Sequence, residues 1–482
     1  MVRGARARRG SQAGVCLAAL LSATGCTFKP SGGSGGGGDG GVPDAAPGVP
    51  DAEVEITCNA GERLCFGHRI ETCNPAGDGF VEEESVACSL TCEDGDGAPV
   101  CTSASNIPAA DAADCGGSAP ALAPTSGSVT ITATAGVERI TCSDDCGTGQ
   151  KEILRVAAID QGDDPDVAWF CLSSLSIPDG VTLTVDPLVA RSIAFVVAGD
   201  VTIEGAMVVD AFGATSTVAG IGGPGGGGGG APASPGSAGN DGLGRCAGRA
   251  GGRATGGSAC GAGGSGGGYS GIGGDGGDGV STGGGGPNDG ARVTGPVGGP
   301  NSCDGEGTLV PLVGGGGGGG GGDGSCGADC GWPGGGGAGA LQISARGAFQ
   351  VSGAMSASGG AGFGNATGNL AHGGGGAGGA GGAILLEGSV LELSGSFTVI
   401  GGVGGLAGAG LGGDGGGSGS RVGLVGGGNG SDADADGEGG GGGGGSAGRV
   451  RINALTAPTC PAGVAPETSC SAGALTVVPD PI

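Results

Sequence analysis

The residues best suited to bind a cation lie in the stretch DADADGEG, residues 432–439. Alternating aspartates followed by Gly437 match the D-x-D-x-D-G opening of a calcium-binding loop, in which carboxylates converge on one ion and the chain turns at the glycine. Such a loop closes with a glutamate, but position 443 is glycine here, so an earlier glutamate would substitute. The predicted ligands are Asp432, Asp434, Asp436 and Glu438. The alternative interpretation is a solvated acidic loop.

A second calcium pattern occurs in GGDGGDGVS, residues 273–281, which fits the repeat G-G-x-G-x-D-x-U-x. Three aspartates carry the required glycines: Asp278, Asp323 and Asp432. Because about half of the surrounding residues are glycine, chance alone gives nearly as many matches. This second pattern therefore has little specificity for a metal site.

Carboxylates on predicted strands are the residues that could act on a polysaccharide. That chemistry needs clustered carboxylates, or a basic residue facing them, on neighbouring turns of the chain. The candidates are Asp200, Glu204, Asp210, Glu387 and Glu392. The alternative is that these side chains form the outward polar half of an alternating pattern. The chain has two histidines and no G-K-[ST] phosphate loop, so we expect no enzyme.

The N-terminus predicts export. Four arginines without an acidic residue precede the apolar stretch AGVCLAALLSA, residues 13–23. This order is typical of a secretory signal peptide over residues 1–25. The apolar stretch is too short to span a bilayer as a helix, which takes about 20 residues.

The sequence ATGC at residues 23–26 resembles a bacterial lipobox. The resemblance implies that Cys26 is lipidated and becomes the new N-terminus. Because Thr27 is not aspartate, it also implies anchoring in the outer membrane. The alternative is ordinary cleavage, with Cys26 as one more disulfide partner. Residues 26–55, rich in Gly, Ser, Pro and Asp, then predict a flexible tether that starts at the lipid anchor.

Nineteen cysteines in an exported chain predict disulfides. When Cys16 and Cys26 are set aside, the number of remaining cysteines is odd. One thiol therefore stays unpaired or forms a disulfide with another chain. C-x-x-x-C spacing predicts three local pairs: Cys88 with Cys92, Cys142 with Cys146, and Cys326 with Cys330. The further candidates are Cys58, Cys65, Cys73, Cys101, Cys460 and Cys470. Residues 56–102 hold six of the cysteines and are too few to build a core, so they predict a crosslinked Cys-rich module.

After a linker over residues 103–125, the remaining chain predicts short strands. Period-two apolar spacing recurs in three similar copies, VTIEGAMVVDAFG, FQVSGAMSASGG and LELSGSFTVIGG, with a partial fourth in AGRVRINAL. Each copy has one apolar row that a single strand cannot bury, whereas stacked parallel strands can. Residues 126–482 therefore predict a mainly β fold, a single-stranded parallel β-helix or solenoid with long glycine-rich loops.

Glycine tracts separate these strands, mainly over 220–337, 359–382 and 401–446. The tracts could be disordered, because glycine loses the most entropy on ordering. They could also pack side by side as polyproline-II-like strands joined by backbone hydrogen bonds. Five cysteines fall inside the first tract and favour an ordered, crosslinked arrangement.

The strand pattern resembles the pectin-lyase-like right-handed β-helix, and the whole chain resembles glycine-rich, PGRS-like bacterial surface lipoproteins with a Cys-rich N-terminal module. The resemblance implies a non-enzymatic cell-envelope protein with a structural or adhesive role, tuned by calcium, whose partners are surface polysaccharide or other cells. A polysaccharide-active β-helix enzyme and a largely disordered glycine coat are the alternatives. The net charge of −27 excludes nucleic acid as a partner.

Overall fold

The computed structural model of the chain describes residues 58–66, 68–81, 86–94, 98–116, 118–147, 149–253, 260–279, 293–301, 303–304, 307–324, 331–365, 373–407, 426–433, 439–455 and 458–478. Strands dominate these residues, and many of the strands pair in parallel. Their one α-helix is the five-residue α1 (Ala109–Ala113). The prediction of a mainly β protein with several disulfides is confirmed.

The described residues form two compact units. The first contains the described residues up to Cys88 together with Cys92–Cys101, and the second contains Ser89–Thr91 and Thr102–Val478. Antiparallel strands build the first unit: β1, β2 and β3 form one sheet, and β4 pairs with the part of β5 up to Cys101. Their bounds are β1 (Arg63–Phe66), β2 (Arg69–Thr72), β3 (Val86–Ala87), β4 (Cys92–Asp94) and β5 (Pro99–Ser103).

Three disulfides hold the first unit together. They join Cys58 to Cys73, Cys65 to Cys92 and Cys88 to Cys101. In the buried cluster of this unit, Ile70 is accompanied by the buried cysteines themselves, so crosslinks replace most of a hydrophobic core. The predicted local pair of Cys88 with Cys92 is wrong, because β4 pairs with β5 and β1 packs beside it, which gives each cysteine a more distant partner.

The second unit contains the remaining strands. They are β6 (Ala121–Leu122), β7 (Ser128–Thr134), β8 (Val137–Cys142), β9 (Glu152–Leu154), β10 (Ala157–Gln161), β11 (Asp164–Leu172), β12 (Ser174–Ile177), β13 (Thr182–Val185), β14 (Ser192–Val197), β15 (Val201–Ile203), β16 (Ala206–Val208), β17 (Ala340–Ala345), β18 (Phe349–Val351), β19 (Ala354–Ser356), β20 (Ala383–Gly388), β21 (Leu391–Leu393), β22 (Ser396–Thr398), β23 (Arg449–Ala454), β24 (Val464–Ala465), β25 (Cys470–Ala474) and β26 (Thr476–Val478). A 3-10 turn covers Glu467–Ser469.

Three largely parallel sheets organise the strands from β6 to β25. Sheet A has the order β10-β11-β14-β17-β20-β23-β25, sheet B the order β6-β12-β15-β18-β21, and sheet C the order β9-β8-β7-β13-β16-β19-β22-β24. The chain visits A, B and C in turn four times, from β11 to β13, β14 to β16, β17 to β19 and β20 to β22. The last three passes are separated by glycine tracts, each running from sheet C back to sheet A.

The three sequence copies align in the sheets as their pattern predicts. Val201, Phe349 and Leu391 pair across sheet B, and the residue six positions later in each copy pairs across sheet C. AGRVRINAL is not a fourth copy, because it forms β23, which pairs with Ala383–Gly388 in sheet A. The inward side chains of all three sheets form one buried hydrophobic cluster.

A second buried cluster covers the outer face of sheet A, and residues 103–125 contribute to it. Predicted to be a linker, this segment instead forms α1, buries Ile107 and Ala112, and is joined to β11 by the disulfide Cys115–Cys171. The Arg346 guanidinium donates to carbonyl oxygens at the end of α1, and burial lowers the pKa of this group. Small side chains make the segment look like a linker, yet they allow it to lie close to the sheet.

The described glycine tracts are ordered strands that bond to one another through their backbones. In the central strand, residues 314–322, the N–H groups from Gly315 onward donate to three neighbouring strands in rotation, so that Gly315, Gly318 and Gly321 all donate to the same one; Gly314 donates to the Gly225 carbonyl. The accepting strands are 240–243, 262–268 and 332–338. The strands that donate to it are 227–230, 248–251 and 374–380.

This three-residue rotation is the periodicity of the polyproline-II conformation, which has three residues per turn and no internal hydrogen bonds. Surrounded by six others, this strand donates every N–H from Gly314 to Gly322 and accepts hydrogen bonds at most of its carbonyl oxygens, as buried backbone requires. We call this assembly of strands the glycine bundle. The described tracts therefore follow the packed alternative, and a largely disordered glycine coat is excluded for them.

The absence of side chains is what permits this packing. At every residue from Gly314 to Gly322, an added Cβ would lie within 3.0 Å of a backbone atom of a neighbouring strand. The disulfide Cys246–Cys303 crosslinks two parts of the first tract. Tyr269 is fully buried beside them and donates its hydroxyl to the Val313 carbonyl at 2.9 Å, while burial raises the pKa of its phenol.

Two further disulfides lie in the second unit. Cys142 pairs with Cys146, which confirms that predicted local pair. Cys460 pairs with Cys470, so these two candidates are partners of each other. Cys260, within the first glycine tract, is buried.

The third predicted local pair is not among these disulfides. Cys326 and Cys330 both lie outside the described residues, in the gap between 324 and 331. A bond from Cys326 to Cys330 therefore stays a prediction. The same holds for lipidation of Cys26, for the predicted signal peptide and for the tether, which also lie outside the described part of the chain.

Candidate functional site

Each pass of the chain bends from sheet B to sheet C through a short turn that contains a glycine. Gly205, Gly353 and Gly395 occupy this position in three successive passes, and Gly463 follows them. A Cβ on any of the four would collide with a backbone carbonyl of the preceding pass. Because only glycine fits, the turns stack directly on one another and present bare backbone.

The stacked turns form the floor of an open groove of about 600 Å³. Its polar lining side chains are Asp179, Thr182, Glu204, Ser352, Ser394 and Ser396. The residue before the turn glycine changes along the groove from Glu204 to Ser352 and Ser394, so one end is acidic and the other carries hydroxyls. Neither a basic nor an aromatic residue is among those that line it.

The backbone under the groove is fixed. Ala354 donates its N–H to the Gly205 carbonyl at 2.9 Å, and Ser396 donates to the Gly353 carbonyl at 2.9 Å. These bonds join each turn to the one before it, so a ligand would meet a preformed surface. Little conformational entropy of the protein would therefore be lost on binding. Exposed carboxylates and hydroxyls on such a surface can accept hydrogen bonds from hydroxyl or ammonium groups.

The predicted catalytic carboxylates do not come together. Glu204 is the one of the five that lines the groove. The carboxylate of Asp200 accepts the N–H of Ala348 at 2.8 Å, and that of Asp210 accepts the N–H of Ser358 at 2.6 Å. Both bonds tie one pass of the chain to the next, which is a structural use of the carboxylate.

Glu387 lies on the outer face of sheet A, as the alternating pattern predicts, but it is fully buried there, so it is neither solvent-exposed nor placed for catalysis. Its carboxylate accepts hydrogen bonds from the N–H and hydroxyl of Ser105, the side-chain amides of Gln342 and Asn453, and the hydroxyl of Ser344. These donors satisfy both oxygens and leave no room for a substrate. Glu392 lies exposed on sheet B, as the alternating pattern predicts.

Of the predicted calcium ligands, Asp432 is described, whereas Asp434, Asp436 and Glu438 lie outside the described residues. The carboxylate of Asp432 accepts the N–H of Asp278 at 3.0 Å. In the described part of the chain, no three His, Cys, Asp or Glu side chains are grouped so as to hold a metal ion. Calcium binding at this loop stays a prediction.

The aspartates of the second calcium pattern bond to glycine backbones. Asp278 accepts the N–H of Gly295 at 2.8 Å, and three residues earlier Asp275 accepts that of Gly298 at 2.8 Å. Asp323, which is buried, accepts the N–H of Gly236. At these positions a carboxylate stands where the carbonyl of another glycine strand would otherwise be. The three-residue spacing of Asp in GGDGGDG was the sequence signal for this role.

Sequence reasoning missed most of the groove, namely Asp179, Thr182 and the serines. The signal was present in the repeat itself, because the position before the turn glycine is Glu or Ser in all three copies. Equivalent positions of stacked copies lie above one another. The residues before the turn glycines therefore line up and form a continuous surface.

Comparison with protein-family models, with curated proteins and with solved structures finds no match for this chain. Among the described residues, no helix has the length and apolar character needed to cross a bilayer.

Proposed function

We propose that this chain is a non-enzymatic cell-envelope lipoprotein with a structural or adhesive role at the cell surface. In this proposal the second unit is a single-stranded parallel β-helix of the pectin-lyase-like kind, and the glycine bundle is built from the loops of successive turns. The order in which the chain visits sheets A, B and C supports that interpretation.

The observation that carries the proposal is the backbone hydrogen bonding of the glycine bundle. It joins the connections of several passes into one stiff block, which suits a body that carries load or presents a surface. The carboxylates of Asp200, Asp210 and Glu387 are used in structural hydrogen bonds, which favours this role over the polysaccharide-active enzyme. Calcium at Asp432, Asp434, Asp436 and Glu438 would stabilise the same block.

The lipobox resemblance supports the location, an outer membrane or cell surface reached through lipidated Cys26. Replacing Cys26 by serine is expected to move the protein from the membrane fraction to the soluble fraction and to prevent its labelling on intact cells. The measurement is fractionation of expressing bacteria, together with mass spectrometry of the mature N-terminus. Cys16→Ser, inside the predicted signal peptide, is the matched control and is expected to keep the protein membrane-bound. An unlipidated wild-type N-terminus would contradict the proposal.

A further inference from the structure

The groove along the stacked turns has the chemistry of a site for cationic sugar chains. We propose that it binds an extended oligosaccharide of amino sugars with free amines, a partner that rests on the adhesive role proposed above. The groove is lined by two exposed carboxylates, Asp179 and Glu204, and by hydroxyls, with no basic residue among its lining residues. Neither carboxylate forms an ion pair with a lining residue, so both can receive ammonium groups.

Charge determines which sugars fit. The whole chain carries a net charge of −27, which repels acidic polysaccharides and attracts cations over a distance of about 10 Å at moderate ionic strength. At the acidic end of the groove, Asp179 and Glu204 lie on successive turns. An ammonium group there would gain a charge-assisted hydrogen bond, which is about twice as strong as a neutral one.

The repeat of the groove favours a regular polymer. Successive turns are separated by the spacing of paired strands, about 4.8 Å, which is close to the length of one sugar unit in an extended chain. Each turn can therefore face one sugar of the chain, whose hydroxyl groups come within reach of lining side chains such as Ser352 and Ser394. The sugar hydroxyls would bond to these serines while the amines face the carboxylates.

The lining argues against a basic peptide as the occupant. Peptides bound in grooves add a strand to an open sheet edge or place apolar side chains in pockets. Here the N–H groups of Ala206, Ala354 and Ser396 already donate to the preceding turns. The apolar residues of the lining are the small Ala206 and Ala354 and the buried Val181, and the rest is glycine or polar, so the groove offers no large apolar pocket. A hydroxyl-rich ligand with evenly spaced amines suits this surface better.

The test is isothermal titration calorimetry of the whole chain with a β-linked glucosamine hexamer. We expect binding that weakens as salt is added, and no binding of a galacturonic acid hexamer. The double variant Asp179→Asn/Glu204→Gln is expected to bind about tenfold more weakly, since each exposed charge contact contributes modestly. Ser352→Arg, which fills the groove and adds a positive charge, is expected to weaken binding at least as much.

Glu392→Gln is the matched control, because Glu392 is an exposed carboxylate on sheet B that does not line the groove. It is expected to bind like the wild type. Equal affinity of all variants, or preference for the acidic hexamer, would overturn the proposal. A hexalysine peptide that binds as tightly and with the same variant sensitivity would overturn the assignment to sugars. Because the titration is done in solution, its result is independent of whether Cys26 anchors the protein.

Discussion

Replacing Gly229 by alanine is expected to destabilise the glycine bundle by on the order of 3 kcal/mol, an overpacking cost at the upper end of the usual range. An added Cβ at Gly229 would collide with the Gly334 carbonyl oxygen, and neither atom can move alone because both belong to hydrogen-bonded strands. The strands must separate, and the bond from the Gly334 N–H to the Gly230 carbonyl, 2.9 Å long, is strained or lost.

The adjacent Gly228 is a matched control. The nearest atom to an added Cβ there is Leu243 Cδ1 at 3.5 Å, an ordinary van der Waals contact. Gly228→Ala is expected to be neutral or to stabilise by about 0.5 kcal/mol, because alanine lowers the entropy of the unfolded chain. Chemical denaturation of both variants measures the difference. Equal stabilities would contradict the packing described here.

Replacing Glu387 by alanine is expected to cost about 3 kcal/mol or more, because it leaves several buried donors without an acceptor. The amides of Gln342 and Asn453 bond to this carboxylate at 3.0 Å each, and both side chains are buried on sheet A. The loss would also release Ser105, through which the segment carrying α1 is tied to the sheet.

Thermal and urea denaturation measure this effect, and limited proteolysis near Ser105 reports the release of the segment. Glu392→Ala removes an exposed carboxylate from sheet B and is expected to change the stability by less than about 0.5 kcal/mol. If the two alanine variants unfold alike, the buried hydrogen-bond network does not hold the segment.

The repeat was the part of the fold that the sequence predicted best. Alternating apolar residues around a turn glycine placed Val201, Phe349 and Leu391 in register, because stacked strands with a single apolar row have one arrangement that buries it. The segment AGRVRINAL was wrongly predicted to be a fourth copy, because its apolar residues alternate in the same way. Its pairing with Ala383–Gly388 is what places it in sheet A and not in sheet B.

Cysteine spacing was a weaker guide, because strand pairing can override it. The C-x-x-x-C spacing predicted a bond between Cys88 and Cys92, but the sheets of the first unit give each of them a more distant partner. The same spacing therefore does not by itself establish a bond between Cys326 and Cys330. That pair lies outside the described residues and stays a prediction.

Other features depend on contacts between residues far apart in sequence. The sequence pattern predicts that Glu387 is exposed to solvent on the outer face of its strand. Nothing near it in sequence reveals that residues around Ser105 cover that face. The sequence likewise did not decide between order and disorder in the glycine tracts, since each strand gains its hydrogen bonds from several distant segments at once.

The central claim is that the glycine tracts form a hydrogen-bonded bundle, and amide hydrogen exchange tests it most directly. Exchange in the central strand, residues 314–322, followed by mass spectrometry in the oxidised protein, is predicted to be as slow as in strand β17, Ala340–Ala345. Exchange at the rate of an unstructured peptide, with β17 still protected, would contradict the claim.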